Sequence, residues 1–261
     1  VSRIIAALEK DVGGALITRT TRAVTLTDVG NDYLTRVEAI LASLEEADHV
    51  ARGSQELRGE LRVATSSSFG VREIIPVLPG FLARHPSLKV SLLMSDQRQD
   101  PIKQGADVAL RLGDLADSTA TARLIGRTQR LIVASPAYLK ERGPPETPAD
   151  LAAHAAIIGP AGTSAGTWSF QKDGQRLSAR VNSRLNVSVN EAAIAAAVAG
   201  MGIVTTALWG CRAELANGTL VQLLPDWTMG EVEVHGMFAP GRLPKPAARA
   251  FVEYLIAKLP R

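Results

Sequence analysis

Apolar positions recur at the helical period from the start of the chain. In Val1-Ser2-Arg3-Ile4-Ile5-Ala6-Ala7-Leu8-Glu9, residues Ile4, Ile5 and Leu8 share one face, while Ser2, Arg3 and Glu9 lie off it. Gly13-Gly14 breaks the pattern. Leu16-Ile17-Thr18-Arg19 and Val24-Thr25-Leu26 then read as a short β-ribbon with Arg19, Thr20, Thr21 and Arg22 around its tip. Between Val29 and Arg52 there is no proline, and Leu34, Val37, Leu41, Leu44 and Val50, with Ile40 and Ala47 beside them, form a stripe close to the helical period. Thr27 suits the N-cap, Asp28 suits the positive end of the dipole, and Gly53-Ser54 supplies the stop. This predicts one long helix.

From Leu57 the pattern becomes alternating strands and helices. Strands are predicted over 60–65, 89–93, 107–113 and 131–134. A helix is predicted over 71–85, stopped by Pro86, and further helices start at Asp100-Pro101 and Ser135-Pro136. Thr147-Pro148-Ala149-Asp150 has a cap, a proline at the first helical position and an acid at the third. Trp168-Ser169-Phe170 and Arg176-Leu177-Ser178 flank Lys172-Asp173-Gly174 as a hairpin. Leu185 to Val189 is extended, Asn190 is the predicted N-cap of a helix over 191–199, and Gly200-Met201-Gly202 closes that helix before a strand at 203–205. A late strand over 231–238 and a closing helix over 245–258 complete the chain. The fold class is α/β, with a mostly parallel sheet and crossover helices.

A helix followed by a basic ribbon suits double-stranded DNA. Arg19 and Arg22 can meet phosphates, with Thr20 and Thr21 between them, while Ser2 and Arg3 face a groove. An ordinary helix and hairpin with a solvated basic tip has the same pattern. The long helix has more apolar stripe than its own globule can cover. It either pairs with a second copy through Leu34, Val37, Leu41 and Leu44 or serves as a core helix of the following domain. Composition is that of a soluble globule, with 46% apolar and 21% charged residues in 261. A net charge of +3 permits nucleic-acid binding without requiring it. The single Cys211 excludes an intrachain disulfide and fits a reducing, cytoplasmic setting. No apolar run approaches the ~18 residues of a membrane span.

Enzymatic signals are weak. Gly162-Thr163-Ser164-Ala165-Gly166 has the spacing of a nucleophile elbow, but that motif needs a helix behind it, and Trp168-Ser169-Phe170 reads as a strand. His49, His85, His154 and His235 are scattered, and neither they nor Cys211 has a partner at metal-ligand spacing. No catalytic residue, metal or cofactor is expected. Trp168, Trp209 and Trp227 follow no repeat and read as core. Hydrogen-bond donors form a better cluster. Ser66, Ser67 and Ser68 follow the first strand of the α/β region, at the carboxyl edge where open sheets bind ligands. They open a helix whose free N–H groups favour an anion, Asn190 opens another, and Arg111 lies near a strand end.

The chain resembles LysR-type transcriptional regulators. Val1, Ser2, Ile5, Leu8 and Glu9 match one family run, and Gly13, Leu16, Arg19, Arg22, Leu26, Thr27 and Gly30 match the next, with Ile17 in place of the family's Phe. Further marks are Leu61-Arg62-Val63, Pro76-x-Leu78-Pro79-x-Phe81, Asp107-Val108-Ala109-x-Arg111-x-Gly113, Ala134-Ser135-Pro136-Ala137-Tyr138-Leu139 and Gly200-x-Gly202-Ile203. The resemblance implies a partial winged helix-turn-helix over 1–26, with two further helices before Val1. It then implies a linker and dimerisation helix over 27–54 and a two-lobed, periplasmic-binding-protein-like effector domain over 55–261. Lobe I would take 57–132 and 236–261, and lobe II 133–235. It also implies a homodimer, extended to a tetramer through the effector domains, and a small-molecule effector between the lobes. Carried over position by position, the candidates are Ser66, Ser67, Ser68, Arg111, Gly113, Asn190 and Thr205. Their donors suit a small organic anion, a carboxylate above others. A solute-binding protein or an enzyme on the same two-lobed fold is the alternative reading.

Overall fold

The computed structural model describes residues 2–19, 24–51, 56–97, 105–113, 121–160, 166–238 and 243–259. The chain divides into two compact units, Val1–Gly59 and Glu60–Arg261.

The first unit contains helix α1 (Ser2–Val12), strands β1 (Ile17–Arg19) and β2 (Val24–Leu26), and helix α2 (Asp28–Ala51). The two strands pair antiparallel, Ile17 opposite Leu26 and Arg19 opposite Val24. Glu9 fastens the ribbon to α1, its Oε1 accepting the Leu16 N–H at 2.8 Å and the Ile17 N–H at 3.1 Å. Thr27 performs two tasks at the head of α2. Its hydroxyl donates to the Ala15 carbonyl at 2.7 Å and accepts the Gly30 N–H at 2.9 Å, as an N-cap should. Gly30 is required by close approach: a Cβ there would lie 1.9 Å from the Leu16 carbonyl oxygen. The ribbon tip, with Thr20, Thr21 and Arg22, lies outside the described residues, as do the side chains of Ser2 and Arg19.

The second unit runs β3 (Gly59–Thr65), α3 (Ser67–Phe69), a π-helical turn (Gly70–Ile74), α4 (Ile75–Leu82), β4 (Leu88–Met94), β5 (Val108–Leu112), β6 (Thr121–Ala134), α5 (Pro136–Arg142) and a 3-10 helix (Pro148–Ala153). It continues with β7 (Ala155–Ile158), β8 (Thr167–Lys172), β9 (Gln175–Arg180), β10 (Asn182–Asn186), α6 (Asn190–Val198), β11 (Ile203–Ala207), a 3-10 turn (Leu208–Gly210), α7 (Arg212–Ala216), β12 (Val221–Leu223), β13 (Glu231–Phe238) and α8 (Pro246–Lys258). The main sheet has the order β10-β7-β11-β6-β13-β5-β3-β4, with β12 on β6. Two lobes share it. In lobe I, α4 and α8 meet through Phe81 and Phe251, whose rings are 5.0 Å apart, and Tyr254 donates to the Val77 carbonyl at 2.8 Å. In lobe II one face packs Val133, Ile157, Ala193, Ile194 and Val204 beneath α6, and the other packs Tyr138, Leu151, Trp168, Phe170 and Ile203.

Several expectations need correction. The sheet is mixed: β3–β5, β7–β10 and β7–β11 are parallel, but β13 runs antiparallel to β5 and β6, and β11 and β12 run antiparallel to β6. The fourth strand begins at Thr121, ten residues before the predicted Leu131. Its first part pairs with β13 and its last part with β11 and β12, so one strand serves both lobes. The helix predicted over 71–85 begins at Ser67, passes through the π turn and ends at Leu82. Asn190 is the first residue of α6 and not its N-cap; Val189 holds that position and gives no side-chain bond. The hairpin β8–β9 and the Thr147–Asp150 capping box form as predicted. The elbow-like segment spans 162–166, of which 162–165 lie outside the described residues, and a strand follows it at Thr167–Lys172. The start predicted at Asp100-Pro101 also lies outside them.

Candidate functional site

The serine run sits at the end of β3, which lies between β5 and β4 in the sheet. Ser66 stands before α3 in extended conformation and gives no side-chain cap bond. The cap comes from far along the chain: Asp96 Oδ1 accepts the Ser67 N–H at 2.7 Å. Its other oxygen, Oδ2, accepts the Asn190 N–H at 3.0 Å. One carboxylate therefore closes the free N-termini of two helices, one from each lobe. Beside it, the Asn190 side-chain amide donates to Ser68 Oγ at 3.2 Å. The contact demands a glycine opposite. A Cβ on Gly210 would lie 2.5 Å from Thr206 Oγ1, 3.3 Å from Asn190 Nδ2 and 3.6 Å from Ser68 Oγ.

A second tie lies one turn further on. Arg72, in the π turn, binds Glu191 through two nitrogens, Nε at 2.7 Å and Nη2 at 2.8 Å, and Glu214 of α7 through Nη1 at 2.8 Å. The hydrogen bond from Arg72 holds the Glu191 carboxyl below its ordinary pKa, and the two glutamates hold the Arg72 guanidinium above its own. The neighbouring Glu73 is buried, which raises its pKa, and Arg212 at 3.9 Å opposes that rise. Phe69 meets Trp209 edge-on, with ring centroids 5.3 Å apart. The junction is thus apolar at Phe69–Trp209 and ionic around Arg72.

Of the predicted residues, Ser67, Ser68 and Asn190 converge here, with Ser66 preceding them in the chain. Thr205 is on β11, on the sheet face of Ile203, while its neighbour Thr206 is on the face toward α6. Arg111 stands opposite His235 on β13, and Gly113 at φ +88° ends the same strand, its N–H donating to the Glu233 carbonyl at 2.8 Å. Neither belongs to the group tied by Asp96. Thr65 Oγ1, one residue before the serines, is buried with no hydrogen-bond partner among the described residues. Asp96, Arg72, Glu191, Gly210 and Glu214 were not foreseen. The only local sign is the place of Asp96 just past the carboxyl end of β4, the edge where ligand-binding groups collect.

Chemistry at this junction is limited. Cys211 is buried and its thiol is pushed up to about 12, chiefly by that burial, so it holds little thiolate at neutral pH. His154 is buried against Tyr138, 3.3 Å from its hydroxyl, and burial lowers its pKa. Among the described residues, no group of His, Cys, Asp and Glu is placed to hold a metal ion. Among them too, no helix is long and apolar enough to cross a membrane.

A two-lobed α/β domain with a polar junction, preceded by a helix, a ribbon and a long helix, defines a class of ligand-responsive regulators. Residues 54–260 match the LysR substrate binding domain, and the chain belongs to that family. An HTH-type transcriptional regulator of Xanthomonas campestris is 33% identical over 265 residues, covering 99% of this chain and 77% of that protein. An uncharacterized HTH-type transcriptional regulator of Haemophilus influenzae is 31% identical, covering 91% of this chain and 83% of that one. Among solved structures, CrgA, a LysR-type transcriptional regulator from Neisseria meningitidis, superposes with a TM-score of 0.71 at 27% identity, covering 100% of this chain and 89% of CrgA. AphB, the virulence activator of Vibrio cholerae, gives a TM-score of 0.66 at 26% identity, covering 98% of this chain and 88% of AphB. The chain is a LysR-type transcriptional regulator with an effector-binding domain, and not an enzyme.

Proposed function

We propose that this regulator acts in the cytoplasm as a homodimer joined through α2, with dimers associating as tetramers, and that its effector is a small organic anion held at the lobe junction. The effector is bound and released without chemical change. Ser66, Ser67, Ser68 and Asn190 form the seat, and Arg111, Gly113 and Thr205 line its approach. One observation carries the choice of ligand: the junction already holds a carboxylate, that of Asp96, on an N–H from each lobe. Two such charge-assisted bonds contribute about 1.5–3 kcal/mol each, about 3–6 kcal/mol together, which suits a reversible ligand with a Kd from millimolar down to tens of micromolar before its other contacts are counted. The orphan hydroxyl of Thr65 offers a further donor beside the seat. Calorimetry with small acids, amines and neutral analogues tests the reading. The expected result is that an acid binds best to the wild type and that Ser67→Ala with Asn190→Ala, which keeps both backbone N–H groups but removes the hydroxyl and amide donors beside them, weakens it about tenfold or more. Preference for an amine or a neutral compound would remove the anion from the proposal.

The DNA contacts are proposed on the first unit. Arg19 and Arg22 would meet phosphates, with Thr20 and Thr21 at the same tip and Ser2 and Arg3 toward the groove. Glu9 and Thr27 hold the ribbon at a fixed place on α1 and α2, as a phosphate-positioning element requires. Arg22→Ala is expected to weaken binding on every sequence alike and to reduce the slope of log K against log salt by about one. A binding titration with an unchanged slope would place Arg22 away from phosphate.

A further inference from the structure

We infer that Asp96 is an internal surrogate for the effector: a clasp that binds the junction's carboxylate seat from within the chain and joins the two lobes when no small molecule is present. This rests on the proposed carboxylate seat and adds a regulatory device to it. A helix cap needs only one oxygen on one helix. Asp96 instead divides its two oxygens between lobes, Oδ1 on Ser67 N–H at 2.7 Å and Oδ2 on Asn190 N–H at 3.0 Å. The backbone holds it there, since the Ser95 N–H donates to the Thr65 carbonyl at 3.0 Å. The adjoining Asn190–Ser68 bond at 3.2 Å repeats the link between the lobes with side chains. An effector carboxylate must therefore displace Asp96 to reach the same two N–H groups. The lobes remain bridged in both states, and what changes is the group that bridges them. Effector affinity is set by competition with a tethered group.

The test is chemical rescue in the whole chain. Asp96→Ala is expected to lower Tm by roughly 5–10 °C, since two charge-assisted bonds between lobes are lost. Acetate or formate should restore at least half of that loss in the variant, with a Kd of about 1–10 mM for so small an anion. Chloride at equal ionic strength and acetamide should not. The wild type, whose seat is full, should gain little from acetate. Asp96→Asn fills the space without a charge, so it should lose stability and not respond to acetate. If Asp96→Ala is too unstable to purify without additive, it should be recovered folded in acetate; failure there overturns the clasp. So does an unchanged Tm, or an acetate response equal in wild type and variant. Calorimetry of acids on the wild type separates the two proposals. Rescue without any wild-type acid binding upholds the clasp and removes the anionic effector. Wild-type acid binding without rescue does the reverse.

Discussion

Arg72→Ala is expected to lower the stability of the second unit by about 2–4 kcal/mol, read as a fall in Tm of roughly 5–12 °C. The Arg72 side chain is only 18% exposed, and it bonds two carboxylates that belong to separate elements of lobe II. Removing it leaves Glu191 and Glu214 facing a half-buried space without their cation. A fully buried pair broken in this way costs about 3–5 kcal/mol. The 33% exposure of Glu191 lets water recover part of that, hence the smaller figure. Arg72→Met keeps most of the stem and isolates the charge. A double-mutant cycle with Glu191→Gln should show coupling well above that of an exposed pair such as Arg36–Asp32. The pH dependence has a definite sign. Glu191 has a folded pKa below its unfolded one, so its contribution is present above the ordinary glutamate range. It fades as pH falls through the lowered value. Glu73, raised by burial, acts oppositely and opposes folding as pH rises past the ordinary range. In Arg72→Ala the acid-side loss attributable to Glu191 should flatten. A melting series from pH 3 to pH 7 with the same slope as wild type would show that the tie contributes nothing.

Elements bounded by local signals were legible in the sequence. The ribbon, the Thr27 cap, the β8–β9 hairpin, the capping box and β13 all depend on neighbours a few residues away. Strand β6 reads short in the sequence because Arg123, Arg127 and Arg130 interrupt its apolar pattern. Two of these arginines stay in the sheet by pairing outward with glutamates, Arg123 with Glu253 and Arg127 with Glu233. At the start of the π turn a Cβ on Gly70 would lie 2.6 Å from Met94 Sδ, so the helix runs tightly along β4 there. Half of the candidate site could be found from strand ends and helix starts, which placed Ser67, Ser68 and Asn190. The other half could not. Asp96 caps α6 across 94 residues, and Arg72 reaches Glu214 across 142. No local window contains both partners. Asn190 looks like a cap in the sequence for the same reason: an oxygen is present at the helix start, but it belongs to Asp96.

Leu41→Glu with Leu44→Glu is expected to separate the proposed dimer and, with it, most of the DNA affinity. Helix α2 has 24 residues and leaves its apolar side chains uncovered: Ile40 is 61% exposed, Leu41 53% and Leu44 58%. An unpartnered stripe of this kind on a soluble helix calls for a second helix. Burying each leucine contributes about 1.5–3 kcal/mol, and a symmetric seam counts each position twice. Four lost leucine side chains thus correspond to roughly 6–12 kcal/mol, even before four carboxylates are forced together. The dimer Kd should rise by at least about 10⁴-fold. Leu34 and Val37, one to two turns earlier, should give smaller effects of the same sign. Asp32→Ala is the control: its pair with Arg36 is exposed on both sides, so its loss should leave the assembly unchanged. Sedimentation at micromolar concentration distinguishes the outcomes. A monomer for the double variant, with a dimer for Asp32→Ala, supports pairing through α2. An intact dimer in the double variant would move the interface elsewhere. The DNA titration then acts as an independent reading. Two ribbons held together bind with the product of their contacts, while separated ribbons bind singly, so affinity should fall by about 10²-fold or more although neither ribbon has been altered.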